Sequence, residues 1–359
     1  MKLSTAALVG MSFAAVCTTP RDAIAHGLYE VTVLVTDVSQ PPAHTDSKLV
    51  NPWGIAFNPN AFVWIADNGS DSATLYDGDG NPSPPPNPSP PPPGGPLIVS
   101  IPGGKPTGIV FNGTPDFKVN RQSTAFIFSS EAGIISAWAP TINPTQAQNV
   151  GGKPGAIYKG LALAANGKAN FLYATDFHNR RVDVFDTNFK DALAAGELKC
   201  SFSAEVPQHF APFGIQNIHG DLYVTYAKQD KAQEDDVSGP GLGLILVFDA
   251  NGCLLRRFTG GFPLNAPWGL ALAPASFGRF ANRLLVGNFG DGRINAFDIA
   301  TGFFVGTLQG VDGHPLKLDG LWGLSFGNGV LDQSTDALFF TAGPGDESHG
   351  MYGRIEPKH

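Results

Sequence analysis

The apolar residues of this chain fall in short alternating runs, not in the long one-sided stripes of helices. The runs come in pairs, at 62–66 and 73–76, 125–129 and 134–138, 171–175 and 181–185, 222–225 and 244–248, 284–286 and 293–297, and 338–341 and 351–355. They are rich in β-branched and aromatic residues and are bounded by Gly, Pro, Asn and Asp, so each reads as a strand between turns. One phrase precedes every pair: a turn, an aromatic or polar residue, Gly, then an apolar strand. Its glycines are Gly54, Gly108, Gly160, Gly214, Gly269 and Gly323, in steps of 54, 52, 54, 55 and 54 residues. A strand-built repeat of this length, written six times, predicts an all-β, six-bladed β-propeller with four antiparallel strands per blade.

The last blade runs out of chain after its third strand. A clear strand at 28–36, ahead of the first blade, is available to complete it and close the ring. This topology sorts the loops. Turns before each inner strand and turns between second and third strands share one face, called the top. Residues 81–96, almost all Pro, Asn and Ser, fall in a turn on the opposite face and read as a polyproline II excursion, either a tolerated insertion or a docking element. Residues 226–243 form a long top-face insertion in blade four carrying Glu234-Asp235-Asp236, a possible lid.

Composition places the chain outside the cell. Lys2, the apolar run 6–16 and Ala23-Ile24-Ala25 read as a signal peptide covering 1–25, leaving one domain at 26–359 that is secreted, extracellular or periplasmic. Removing 1–25 takes away Lys2, Arg21 and Asp22 and moves the formal charge from −8 to −9. An acidic domain without a basic cluster is a poor nucleic-acid binder. No later stretch is apolar enough to cross a bilayer. Cys200 and Cys253 remain, each expected at the start of the outer strand of a neighbouring blade. Outer strands diverge, so two buried thiols are expected, with a disulfide as the alternative. Asn68-Gly69-Ser70 and Asn112-Gly113-Thr114 are glycosylation sequons.

Candidate chemistry gathers at the top. The segment from Leu172 to Asp186 resembles the NHL repeat, in which an Asp after the second strand braces the next turn. Asp67, Asp176 and Asn288 hold that corner in blades one, three and five. They are turn braces or, with Asn68 and Glu131, hard oxygen ligands for Ca²⁺. Six-bladed lactonases of the gluconolactonase and paraoxonase kind place Ca²⁺ in such a ring, though this chain lacks a local signature of that class. His44, His178, His209, His314 and His349 lie in top loops, dispersed for the three-His Zn²⁺ site of propeller lyases. His26 could serve as an N-terminal copper ligand but opens the outer strand of blade six, on the bottom. Trp53, Phe213, Trp268 and Trp322 directly precede inner-strand glycines, with Thr107 and Lys159 in the other two places. Packing between blades and an aromatic-lined ligand funnel both account for them. Asp346, Glu347 and His349 form a compact acid–His cluster, a candidate acid–base group or a solvated turn.

Longer phrases carry a family resemblance. Leu49-Val50-Asn51-Pro52-Trp53-Gly54, Tyr223-Val224-Thr225-Tyr226-Ala227-Lys228-Gln229-Asp230, Val286-Gly287-Asn288-Phe289-Gly290-Asp291-Gly292 and Asp346-Glu347-Ser348-His349-Gly350 resemble an uncharacterised family of secreted six-bladed propellers. Some members of that family carry a PEP-CTERM sorting tail; this chain ends at Pro357-Lys358-His359, so sorting by that route is not expected. The resemblance implies an exported propeller and supplies no catalytic residues. The sequence thus leads to a binding or scaffold module whose top-face pocket takes a small molecule, glycan or protein. A Ca²⁺-dependent hydrolase of lactonase or esterase type is the alternative, and a Zn²⁺-dependent lyase comes third.

Overall fold

A computed structural model describes residues 27–41, 43–83 and 96–358. The expected leader, His26 and residues 84–95 of the Pro-rich stretch lie outside the described residues. Six sheets stand in a ring. Their inner strands are Pro52–Phe57, Pro106–Phe111, Tyr158–Ala165, Phe210–Ile218, Pro267–Leu272 and Leu321–Phe326. Blade six adds Leu338–Ala342 and Met351–Pro357, and Leu28–Thr36 completes it in an antiparallel register from Tyr29↔Pro357 to Thr36↔Met351. The ring closes as the strand count requires.

The repeated glycine has a steric cause. A Cβ on Gly54 would stand 2.5 Å from the Thr107 carbonyl oxygen, and one on Gly214 would stand 2.1 Å from that of Trp268. One on Gly323 would stand 2.6 Å from the Trp53 oxygen, across the closure. Inner strands therefore meet backbone to backbone around the channel, and any side chain would wedge the blades apart. Hydroxyls on second strands stitch the same contacts. Thr341 Oγ1 accepts the Gly323 N–H at 2.8 Å and donates to the Trp53 carbonyl at 2.6 Å. Further out, adjacent blades share apolar cores, as where Tyr173 and Val184 of blade three pack with Val224 and Leu246 of blade four.

Blade three departs from the four-strand expectation. It has Tyr158–Ala165, Asn170–Asp176 and Arg181–Phe185, and its fourth place holds a single bridge, Phe185↔Asp191. There the Asp191 carboxylate accepts the backbone N–H groups of Leu193 and Ala194 and turns the chain away. The departing segment crosses to blade four: Cys200 N–H donates to Asn251 O and Phe202 N–H to Gly252 O, each at 3.0 Å. This corrects the expectation of free thiols. Cys200 is not on an outer strand of blade three; it lies against the turn before Leu254–Gly260, its Cα 4.9 Å from that of Cys253, and the two form a disulfide. Both sequons are closed in the folded chain, since Asn68 and Asn112 are buried and the Asn112 amide donates to the carbonyls of Asp116 and Thr124. Among the described residues no helix is long and apolar enough to cross a membrane.

Candidate functional site

The side chains just before the inner-strand glycines meet at the top of the channel. Trp53 stacks on Trp322 with ring centroids 3.6 Å apart, and Phe289 stacks on the same Trp322 at 4.1 Å. Trp268 meets Trp53 and Trp322 edge-on at 6.1 and 5.6 Å, and Phe213 meets Trp322 at 5.9 Å. All four predicted aromatics are buried, with Phe177 and Phe289 closing the cluster. They pack together as a plug across the channel, and Trp53 also faces the opening above. Below them the glycines leave a constriction of about 40 Å³.

Lys159 breaks the aromatic pattern and defines the site. Its side chain is 1% exposed, and its Nζ lies 5.1 Å above the Trp53 ring. Nζ donates to Glu131 Oε1 at 2.5 Å and to Asp235 Oδ1 at 3.0 Å. Burial alone would lower the lysine's pKa; the two carboxylates outweigh it and hold the ammonium charged, above its ordinary range. The network continues outward. Asn68 Nδ2 donates to Glu131 Oε2 at 3.2 Å, and Asn51 Nδ2 donates to Glu347 Oε1 at 3.0 Å. Trp322 Nε1 donates to Asn51 Oδ1 at 3.2 Å, tying plug to rim. Above this floor is an opening of about 490 Å³ lined by Asn51, Asn68, Lys105, Glu131, Asp235 and Glu347.

Local backbone aims these groups. Asn51 and Lys105 occupy the same place in the repeat, three residues before the glycine, with φ of 46° and 47°. This left-handed corner turns the chain into the inner strand and directs the side chain at the mouth, and Asn adopts it readily. The blade-four insertion arches over from the other side. Asp230 accepts the Glu234 N–H at 3.0 Å, and Gln229 Nε2 donates to the Phe177 carbonyl at 2.7 Å, so Asp235 is presented by an anchored loop. Burial raises the Asp236 carboxyl to about 7, with Lys159 and Ser238 opposing and Asp235 and Glu347 reinforcing. Burial likewise raises Glu347, against Asn51 and Lys159.

The other sequence candidates are placed as follows. Asn68 and Glu131 share the opening. Asp176 accepts from Ile157 N–H and from Asn179 at both N–H and Nδ2 and forms an ion pair with Arg181 Nε at 3.3 Å, which engages it in its turn. Asn288 donates to Pro263 O and Asp291. Asp67 is fully buried on the face of blade one that meets blade six. His349 Nδ1 pairs with Asp37 at 3.0 Å on the surface, while Glu347 of the same loop reaches into the opening, so the acid and the imidazole separate. Asp346 adopts a left-handed corner beside them, with φ of 52°. His178 Nδ1 meets Gln233 O, and His44 and His314 are exposed. Among the described residues no three His, Cys, Asp or Glu are grouped to hold a metal ion. The place between Glu131 and Asp235 already holds the Lys159 ammonium, so a Ca²⁺ set there would meet a fixed cation.

No known family profile matches the chain. Uncharacterized protein L690 of Acanthamoeba polyphaga mimivirus is 33% identical over 338 residues, spanning 89% of this chain and 86% of that protein. Uncharacterized protein R648 of the same virus is 33% identical over 355 residues, spanning 94% and 82%. Among solved structures, a protein of unknown function from Bacteroides thetaiotaomicron VPI-5482 superposes with a TM-score of 0.54 at 12% identity, over 91% of this chain and 76% of that one. A gluconolactonase from Xanthomonas campestris gives 0.52 at 16% identity, over 86% and 88%. A streptogramin B lyase gives 0.51 at 13% identity, over 92% and 99%. At these identities the structural likeness shows the shared propeller fold alone.

Proposed function

We propose that this chain, which belongs to the family of the mimiviral proteins L690 and R648, is a secreted ligand-binding module whose ligand seats on the Lys159 floor at the top of the channel. The observation that carries this reading is the buried ammonium held by Glu131 and Asp235 under an opening of about 490 Å³. Burying a cation beneath a polar mouth favours a site over a core, because a plug of packed apolar groups would seal the channel without the desolvation penalty. Mixed donors and acceptors around the rim, Lys105, Asn51, Asn68 and Glu347, suit a polar organic ligand with several hydroxyl, amine or amide groups. The disulfide supports an oxidising compartment and hence export.

A thermal-shift panel of sugars, lactones, amines and short peptides on the mature protein tests this. Stabilisation by a ligand that is lost in Lys105→Ala and Glu347→Gln supports the reading. Ligands that stabilise both variants as well as wild type would remove the site. Asp236, raised to about 7, and Glu347, raised by burial, favour a second reading as a hydrolase, since a carboxyl with a raised pKa beside a pocket can act as an acid. Lactone or ester turnover that falls in Glu347→Gln would select it.

A further inference from the structure

Blade five ends at the rim on Phe304–Thr307, whose outward edge pairs with no strand among the described residues. Phe303 is 74% exposed and Phe262 77%; Phe304 and Val305 are exposed as well. The Phe262 and Phe304 rings meet edge-on with centroids 6.4 Å apart, so the surface is organised rather than scattered. No charged residue lies between Asp298 and Asp312.

Four other rims differ. Along Val99–Ser100 of blade one, Ser100 N–H donates to Thr145 O and Ala147 N–H to Ser100 O. Leu28–Thr36 of blade six is flanked by His44–Thr45 and Gln309–Gly310. Leu254–Gly260 of blade four carries Arg256 and Arg257, and Gln148–Gly152 of blade two is polar and rich in glycine. An open apolar edge with neither charge nor proline is a template for pairing.

We propose that this edge joins two copies of the chain, with Phe304 to Thr307 of each pairing antiparallel about a two-fold axis and Phe303 flanking the pair. An edge strand is complementary to itself, since its free N–H and C=O groups alternate and an antiparallel copy satisfies both. Charge selects the place: each mature copy carries a formal charge of −9, and the neutral strip is where two like-charged molecules approach with least repulsion. Area agrees. Arg256 donates to the carbonyls of Ile299 and Ala300, which holds the exposed Leu254 and Leu255 of blade four beside the strip. With the four blade-five residues they offer on the order of 600 Å² of apolar surface per copy, close to the ~800 Å² per partner of a stable pair.

Sedimentation velocity on the mature chain across a wide concentration range tests the proposal. Wild type is expected to approach twice the monomer mass as concentration rises. Phe303→Lys/Val305→Lys, at positions too exposed to disturb the core, is expected to weaken association by about tenfold or more through like charges facing across the axis. Asn149→Lys on the rim of blade two is expected to leave it unchanged. In wild type, amide exchange at 303–307 should slow as concentration rises. A wild type that stays monomeric, a dimer that survives Phe303→Lys/Val305→Lys, or exchange independent of concentration would each overturn the proposal.

Discussion

Asp67→Asn is expected to make the protein more stable at mildly alkaline pH. Asp67 ends the second strand of blade one, is 0% exposed, and has neither carboxylate oxygen in a hydrogen bond; the Thr74 hydroxyl beside it is likewise without one. Burial holds its pKa well above the ordinary value of 3.8; the Thr74 contact moderates this and the nearby Asp46 charge reinforces it. The folded chain therefore keeps the proton to higher pH than the unfolded chain. Stability from this group is fully present below the ordinary carboxylate range and is lost as pH rises toward the raised folded value. Each unit of separation is about 1.4 kcal/mol, and an ionised, unpartnered carboxylate in this place costs roughly 1–3 kcal/mol. Asparagine has the same shape and does not titrate. Denaturant unfolding should show Asp67→Asn and wild type near parity around pH 4, with the variant ahead by about 1–3 kcal/mol at pH 8. A variant that is less stable than wild type at both pH values by equal amounts would refute the reasoning, because it would show Asp67 ionised and engaged.

Gly214→Val is expected to cost more than about 3 kcal/mol or prevent folding, since the new Cβ would stand 2.1 Å from the rigid Trp268 carbonyl; soluble yield and urea unfolding report it. Cys200→Ser/Cys253→Ser opens a loop of sequence separation 53 and is expected to lower stability by about 2–4 kcal/mol while blades three and four stay folded, measured against wild type under non-reducing conditions. Lys159→Met leaves Glu131 and Asp235 without their ammonium; the expected loss is roughly 3 kcal/mol, at the low end for a buried ion pair because Asp235 is 74% exposed. Urea unfolding measures it, and an unchanged stability would show that the two carboxylates are satisfied without the ammonium.

The fold was legible because its cause repeats. Backbone contact between inner strands demands glycine at the same place six times, and that demand is written in the spacing from Gly54 to Gly323. Ring closure was legible for a related reason: a blade short of a strand and a strand without a blade fit each other. The disulfide was not. Its formation depends on where the chain goes after Asp191 ends blade three, and that path is set by one side chain capping a turn and by two backbone bonds to blade four. Strand patterning carries no signal for such a crossing.

The centre of the candidate site was missed in the sequence, although the repeat's exception marked it. At the place before the glycine, aromatic rings stand in four blades and pack together, so their shared identity reports the packing that holds the ring. Lys159 stands in that same place, where an aromatic would pack and a charge must be neutralised. A lysine there requires carboxylates to converge on it, and the two that do so come from a neighbouring blade, Glu131, and from the blade-four insertion, Asp235. Asn51 and Lys105 follow from the same logic, since a left-handed corner repeated in four blades carries a polar side chain in two of them, at one rim. Agreement among the copies therefore encodes how the ring holds together, and the single charged departure marks where it can meet something else.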